Sequence, residues 1–366
     1  MRSLFFIVCC VLSIHLVFAQ QDFSIGKKYS LHSSVLNEER EFYVYLPPDY
    51  HNLKYAPARY PVIYVLDGEQ AFHVTTGLQQ FLSRGPYANT PRSIVVGIIN
   101  TNRTRDLTPA LPVNDTVSGK LFGAGGGNEA FIEFITKELR PHVDSAWRTS
   151  GYNVLIGHSF GGLTAANILL HHTPLFNAYI IIDPSLWWGR RLLVQQANSI
   201  LPVKDFGHSS VFLARASHEA DAKDTVTDML HSIEDFAALF TTQHPKGLRS
   251  TYRIYTNEDH GTVPIPAIYD GLRYLFDAHL VPVKPALADP TIVTQQFEKL
   301  SQQSGFRFQP SEEWLDWMGN FAFGSKKKDA AVAFYKMAAT LYPQSKNAKV
   351  VLNKILNGAD TGNVVP

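Results

Sequence analysis

Three observations predict an α/β fold: a mostly parallel central sheet flanked by helices, with a small helical appendage at the C-terminal end. Between about residues 40 and 280, short β-branched runs alternate with longer amphipathic segments, the rhythm of strands joined by helices. Several of those runs are apolar at successive positions, as expected of strands covered on both faces. Beyond residue 281 the strand-like runs stop, prolines cluster, and helix-like segments follow.

The chain has 366 residues, 45% of them hydrophobic and 12% aromatic, enough for a sizeable core and unlike a disordered chain. Its 33 Lys+Arg against 32 Asp+Glu leave a charge of +1, so long-range charge attracts neither nucleic acid nor an anionic membrane. At the N-terminus, Arg2 precedes an apolar run, with Val17 and Ala19 at a small-residue cut site before Gln20-Gln21. This reads as a secretory signal over residues 1–19, giving a secreted or periplasmic protein with no stable membrane span after cleavage. His15 and the polar residues after Ala19 speak against an anchor. Cys9 and Cys10 both lie in that segment, so the mature protein is expected to lack disulfides and thiolate chemistry. The sequons at Asn102 and Asn114 do not identify a source.

The expected strands are residues 40–46, 61–66, 93–99, 153–156, 179–182, 210–214 and 251–255. Helices are expected near Phe72, from Asn128 as a cap to Pro141 near the end, after Ser159, near Thr225 and near Ile268. The long polar stretch from Thr101 to Gly127 is a functional loop by its length. Its Gly-rich end lacks the Lys-Ser/Thr of a phosphate cradle and reads as a hinge. Residues 20–280 form the expected main domain, 281–310 a proline-marked linker, and 311–366 a helical tail. Within the tail, Ala330-Ala331-Val332-Ala333-Phe334-Tyr335 is tetratricopeptide-like, but one such unit cannot stack on others. The tail is therefore expected to pack on the main domain or to bind a protein.

The central chemical signal is Gly157-His158-Ser159-Phe160-Gly161-Gly162, between an apolar strand and the helix-like run that begins at Leu163. A serine on a sharp strand-to-helix turn needs small flanking residues, and this is the pattern of a nucleophile elbow in an α/β-hydrolase fold. The bland alternative is a serine that merely caps the helix. A serine hydroxyl needs a base, and the chain order in this fold is Ser, acid, His. His260 follows the strand at 251–255 through Asn257-Glu258-Asp259 and precedes Gly261, so it sits on a loop at the sheet's carboxyl end. The acid is expected after the strand at 210–214, where Asp224 is favoured, then Glu219, then Asp221. Asp224 could equally cap the next helix, and geometry must decide. His218, Glu219 and Asp221 lack further ligands at matching spacing, so no metal and no cofactor is expected. The negative charge of a tetrahedral intermediate needs two donors, expected from the backbone N–H of Phe160 and, through Gly68, that of Glu69.

Several separated motifs, Tyr43-Val44-Tyr45-Leu46-Pro47-Pro48-Asp49-Tyr50, Leu66-Asp67-Gly68, Arg105-Asp106-Leu107-Thr108-Pro109, the elbow, Asp183-Pro184-Ser185-Leu186-Trp187-Trp188 and Asp259-His260-Gly261, resemble the esterase D-type family. That family includes siderophore esterases, S-formylglutathione hydrolase, feruloyl esterases and mycolyltransferases, and the resemblance covers roughly residues 25 to 280. It implies a secreted serine esterase acting on a small-molecule ester through Ser159, with no large separate lid. It also implies substrate contacts from Trp187, Trp188 and Arg105, although aromatic core packing explains the tryptophans equally well. Tetratricopeptide-like tails occur in its siderophore-esterase-like branch. The acid loop is longer here than the short Gly-Asp turn of S-formylglutathione hydrolase. Two other functions compete: acyl transfer to an alcohol, and a non-catalytic binding module on the same fold.

Overall fold

The structure is a computed structural model that describes residues 23–112, 115, 120, 122–123, 125–217 and 228–356. The expected signal segment, both cysteines, Asn114 and residues 357–366 lie outside these described residues.

Among the described residues the sheet has eight strands. They are β1 (Lys27–Ser33), β2 (Glu38–Tyr45), β3 (Tyr60–Val65), β4 (Ile94–Ile98), β5 (Thr149–His158), β6 (Ala178–Ile182), β7 (Ser209–Ala216) and β8 (Leu248–Tyr255). Their order is β1-β2-β4-β3-β5-β6-β7-β8. β1 and β2 pair antiparallel, β2 joins β4 antiparallel, and every pairing from β4 to β8 is parallel. The expected mostly parallel sheet is present, and the elements the sequence did not reveal have a physical reason. β1 lies at the sheet edge and carries two apolar residues, Tyr29 and Leu31, between exposed Lys28, Ser30 and His32, so its apolar signal is short.

The parallel centre is buried on both faces. From β3, Val62 and Tyr64 enter one apolar layer while Ile63 and Val65 enter the other, the alternation of a strand covered twice. The first layer is closed by α3 (Asn128–Phe134), α4 (Arg140–Ala146), α5 (Phe160–His171), α6 (Trp188–Ile200) and α7 (Met229–Gln243), through residues such as Phe131, Ile168, Leu193 and Phe236. The second is closed by α1 (Gly68–Leu82) and α8 (Pro264–Leu275), through Phe72, Ile268 and Leu272. A short helix, α2 (Arg103–Leu107), follows β4.

Two expectations about the segment from Asn128 are corrected. Asn128 is not the cap but lies inside the first turn, fully buried; its side-chain amide donates to the Asp106 carbonyl at 2.8 Å and to Thr164 Oγ1 at 3.0 Å. Pro141 does not end the helix, which runs through a π-turn at Ile135–Leu139 and on to Ala146. A proline at the start of the segment after a widened turn removes a donor that has little use there.

The stretch 281–310, expected to be a linker, contains α9 (Val283–Ala288) and α10 (Thr291–Ser304). Val283, Ala286, Val293 and Phe297 enter one apolar cluster with the tail helices α11 (Glu312–Gly324) and α12 (Lys328–Leu341), and α13 (Lys346–Leu356) follows. The prolines sit at the first turns or flanks of these helices, where they are tolerated. The tail packs on the main body: Glu312 accepts the Ala56 N–H at 2.8 Å, and Asp316 accepts Lys54 Nζ and Tyr55 Oη at 2.9 Å each.

Arg40 on β2 and Asp106 on α2 are both essentially unexposed, at 1% and 0%, and their side chains meet at 2.6 Å. Glu38 and Arg105 complete the network, with Arg105 Nη2 at 2.6 Å from Glu38 and Nε at 2.7 Å from Asp106. Arg40 Nη1 also meets Glu38 at 2.9 Å, so removing Asp106 leaves it one carboxylate of two, at a cost of up to about 3–5 kcal/mol for a broken buried pair. Asp106→Ala should therefore lower the urea midpoint by the equivalent of that loss at unchanged m-value, and urea denaturation checks it.

Candidate active site

The residues of the elbow are held by close approach. β5 ends at His158 and α5 begins at Phe160, so Ser159 alone makes the turn, with φ 58° and ψ −119°. That conformation is strained for a residue with a side chain and persists only where the surroundings enforce it. At Gly157 an added Cβ would lie 2.1 Å from the Gly161 carbonyl oxygen, so only glycine lets strand and helix approach this closely. The Ser159 N–H donates to the Ile182 carbonyl at 3.1 Å, and the Ser159 carbonyl accepts Leu163 and Ser185 N–H groups at 2.9 and 3.1 Å. Ser159 Oγ is 3.3 Å from Ser185 Oγ.

His260 is carried on the loop after β8. Asp259 Oδ1 accepts the N–H groups of Gly261 and Thr262 at 2.8 and 2.9 Å, and those bonds hold the Asp259 carboxyl below its usual range. The resulting turn fixes the loop on which His260 stands. Its ring lies 4.5 Å, centroid to centroid, from that of His158, the residue before the serine. His260 Nδ1 meets Asp183 Oδ2 at 2.6 Å. Asp183 follows β6 directly, has φ 42° and is 0% exposed; its Oδ1 accepts the Ala216 N–H at 2.9 Å.

The three acids expected from sequence, Asp224, Glu219 and Asp221, lie outside the described residues. Asp183 is the carboxylate seen on the imidazole, and in the sequence it stood out only as the first residue of the motif that runs to Trp188. The available signal was its position: an acid directly after the fully apolar strand Ala178–Ile182 at the same sheet edge as the serine. A buried carboxylate without partners is costly, so such a residue must be met by donors.

The second helix to reach this edge is α1. Gly68 opens it so close to β4 that an added Cβ would lie 2.6 Å from the Gly97 carbonyl carbon. Asp67 and Leu66 pack against Gly161, where a Cβ would stand 3.3 Å from Asp67 Oδ2. The first turns of α1 and α5 are therefore neighbours. Glu69 and Phe160 contribute N–H groups from those turns, where no intrahelical acceptor exists and the helix dipoles favour negative charge. The Glu69 carboxylate itself accepts Asn100 Nδ2 at 2.7 Å.

Asp67 is gripped by Arg103 through two bonds, at 2.7 and 2.9 Å, and by Asn100 at 2.7 Å. The Arg103 guanidinium also lies 5.3 Å from the Phe160 ring centroid. Arg105, the expected substrate contact, is engaged by Glu38 and Asp106; the cation that reaches the serine helix is Arg103, two positions earlier. The two tryptophans divide. Trp188 is 1% exposed and its Nε1 donates to the Pro109 carbonyl at 2.9 Å, which is core packing. Trp187 lies 5.2 Å from Phe122 and 6.1 Å from Phe160; Trp187 and Phe160 are buried and Phe122 is 42% exposed, so of this packed aromatic group Phe122 is the accessible ring.

Among the described residues no group of acidic, histidine or cysteine side chains is arranged to hold a metal ion, and no helix is long and apolar enough to cross a membrane.

A family model described as "Putative esterase" matches residues 33–246. The chain is 25% identical over 259 residues to the ferri-bacillibactin esterase BesA of Bacillus subtilis, covering 65% of this chain and 86% of that one. It is 26% identical to the siderophore enterobactin esterase of Emericella nidulans, covering 58% and 81%. Among solved structures, an IroE-like serine hydrolase from Shewanella oneidensis is 32% identical, with a TM-score of 0.78 over 86% of this chain and 99% of that one.

Burial and the neighbouring His260 push the His158 imidazole down from about 6.5 to about 4, so the folded state binds fewer protons than the unfolded chain between those pH values. This contribution to stability is complete above pH 6.5 and is lost as pH falls toward 4. His158→Phe should flatten the decline of unfolding free energy across that window by about 1–3 kcal/mol, as read from urea melts at a series of pH values.

Proposed function

The chain belongs to the Esterase family and is a carboxylic ester hydrolase of the serine hydrolase type, and from that premise we propose that Ser159, His260 and Asp183 form its catalytic triad. The observation that carries the proposal is the 2.6 Å contact between His260 Nδ1 and the buried Asp183 carboxylate, with the imidazole beside the elbow. An Nδ1–H donated to Asp183 leaves the basic lone pair on Nε2, the nitrogen that takes the serine proton in a triad. As Ser159 attacks the ester carbonyl, His260 becomes the imidazolium and Asp183 stabilises it without itself being protonated. The backbone N–H groups of Phe160 and Glu69 receive the developing oxyanion. His260 then protonates the leaving alcohol, and water, deprotonated by the same imidazole, releases the acid from the acyl-enzyme.

We infer that the ester belongs to a siderophore, the substrate class named for the relatives from Bacillus subtilis and Emericella nidulans. The exposed Phe122 ring, packed on Trp187 and close to Phe160 at the elbow, suits an acyl group bearing aromatic parts. The residues 1–19 signal would carry the protein out of the cytoplasm, and mass determination of the exported chain should find Gln20 first.

Hydrolysis of a siderophore macrolactone should exceed that of short acyl and feruloyl esters in kcat/KM. Addition of an alcohol acceptor should divert no product, whereas transesterified product would favour the acyltransferase reading. A fluorophosphonate probe should label Ser159 in the wild type and not in Ser159→Ala, which should fold normally and be inactive. Asp183→Asn should reduce kcat by roughly 10³–10⁴-fold, while Asp224→Asn retains turnover. The reverse pattern, with Asp224→Asn inactive and Asp183→Asn near wild type, would return the acid to the loop after β7.

A further inference from the structure

One polar side chain beside the nucleophile has no part in the triad. Ser185 is 3% exposed, and its Oγ stands 3.3 Å from Ser159 Oγ. Among the described residues that hydroxyl has no other hydrogen-bond partner. The fold holds the two hydroxyls together. The Ser185 N–H donates to the Ser159 carbonyl and the Ser185 carbonyl accepts the Trp188 N–H, both at 3.1 Å, while Trp188 is anchored in the core by its bond to the Pro109 carbonyl. Upstream, the Asp183 N–H donates to the Ala214 carbonyl at 2.8 Å. Gly162 sets the spacing, because an added Cβ there would stand 3.0 Å from the Pro184 Cα and 3.0 Å from the Ile182 carbonyl oxygen. The turn after β6 therefore rides directly on the first turn of α5. It presents Asp183 to His260 and, two residues on, Ser185 to Ser159.

A serine hydroxyl has one proton and two lone pairs. In a triad the nucleophile's proton goes to the imidazole Nε2, which leaves one lone pair of Ser159 Oγ for the carbonyl carbon and one to accept a hydrogen bond. We propose that the Ser185 hydroxyl fills that last place: it donates to Ser159 Oγ and is a further catalytic residue, stabilising that oxygen while it carries negative charge. This role rests on Ser159 being the nucleophile. A separation of 3.3 Å is long for an O–H···O bond, whose usual length is about 2.7–2.8 Å, so the bond is weak in the resting enzyme. It tightens as the Ser159 proton passes to His260 and the Oγ–C bond forms. It tightens again in deacylation, when that bond breaks and Oγ takes a proton back from the imidazolium. Ser185 keeps its own proton throughout. An interaction that strengthens in the transition state acts on kcat and leaves KM nearly unchanged.

The test measures turnover of p-nitrophenyl acetate by the full chain, Ser185→Ala and Ser185→Thr across pH, with fluorophosphonate labelling of each. Ser185→Ala should lower kcat and kcat/KM alike by about tenfold, and should label at Ser159 more slowly by a similar factor. Ser185→Thr keeps the hydroxyl and should recover most of the loss. The acid limb of kcat/KM should stay at its wild-type pH in Ser185→Ala, because the contact of Asp183 with His260 is untouched; a turn that had merely shifted would disturb that contact and displace the limb. A wild-type kcat in Ser185→Ala overturns the proposal, as does a loss confined to KM or accompanied by a displaced acid limb. So does a Ser185→Thr protein that unfolds at the wild-type urea midpoint yet is no more active than Ser185→Ala. If the probe does not label Ser159 in the wild type, the nucleophile assignment fails and the role of Ser185 falls with it. If it labels Ser159 and Ser185→Ala turns over as the wild type does, the role of Ser185 fails alone.

Discussion

The structure at the catalytic edge depends on one close approach, that of the last residues of β5 to the first turn of α5. Gly157 and Gly161 nearly touch through their backbones, and the price is the strained backbone of Ser159. The neighbouring elements hold that turn on three sides. The end of β6 supplies the Ile182 carbonyl that receives the Ser159 N–H, the next turn sends the Ser185 N–H to the Ser159 carbonyl, and the start of α1 packs on Gly161. A local strain of about 1–3 kcal/mol is sustained because the sheet beneath is rigid and apolar on both faces. Nothing in the loop sequence alone would enforce it.

Once that turn is fixed, charge arranges itself by burial. The edge holds two nearly unexposed carboxylates, Asp67 and Asp183, and each is met by donors: Arg103 and Asn100 for the first, His260 and the Ala216 N–H for the second. The two have different consequences. Asp67 is matched by a permanent cation in a bidentate grip, so it orients the loop and shields the serine from a free negative charge. Asp183 is matched by an imidazole, whose charge can change during a reaction, so its field is available to stabilise an imidazolium. His158, largely buried against His260, stays neutral at ordinary pH and so adds no competing positive charge beside that ring.

This division explains what could be read from the sequence. The parallel strands, the helices after Ser159 and near Ile268, and the tail helices were legible because their apolar periodicity is strong and local. The strand Lys27–Ser33 was not, because its alternation rests on two apolar residues, Tyr29 and Leu31, among five polar ones, too short a period to stand out. The helix Thr291–Ser304 was hidden by the prolines around it, although Val293, Phe297 and Leu300 recur at helical spacing. In the site, Ser159 and His260 declared themselves through glycine-flanked turns. The carboxylate on the imidazole did not: the order Ser, acid, His admits Asp183 as well as the acids after β7, and the expectation looked to the strand next to that of His260 while Asp183 leaves β6. Which acid reaches a histidine is settled by lateral distance across the sheet, and one-dimensional spacing does not contain it. Arg103 and Arg105 illustrate the same limit: two residues apart on one short helix, they face different carboxylates, and only the packing of that helix on β2 assigns them.

The tail shows how the two ends of the sheet are kept apart in function. Parallel strands all bring their carboxyl ends to one edge, and loops there can diverge while the sheet stays intact. The helices from Val283 onward attach at the other edge, through buried Glu312 and Asp316 to residues 54–56 and through Trp314 to the Pro86 carbonyl. Glu312 and Asp316 are 3% and 4% exposed, so this attachment is specific rather than a loose apolar contact: a tail that shifted would leave buried carboxylates unmatched, a larger penalty than the loss of a few apolar contacts. The tail is thereby fixed at the amino end, where it extends the apolar core and walls a cleft without touching the catalytic turn.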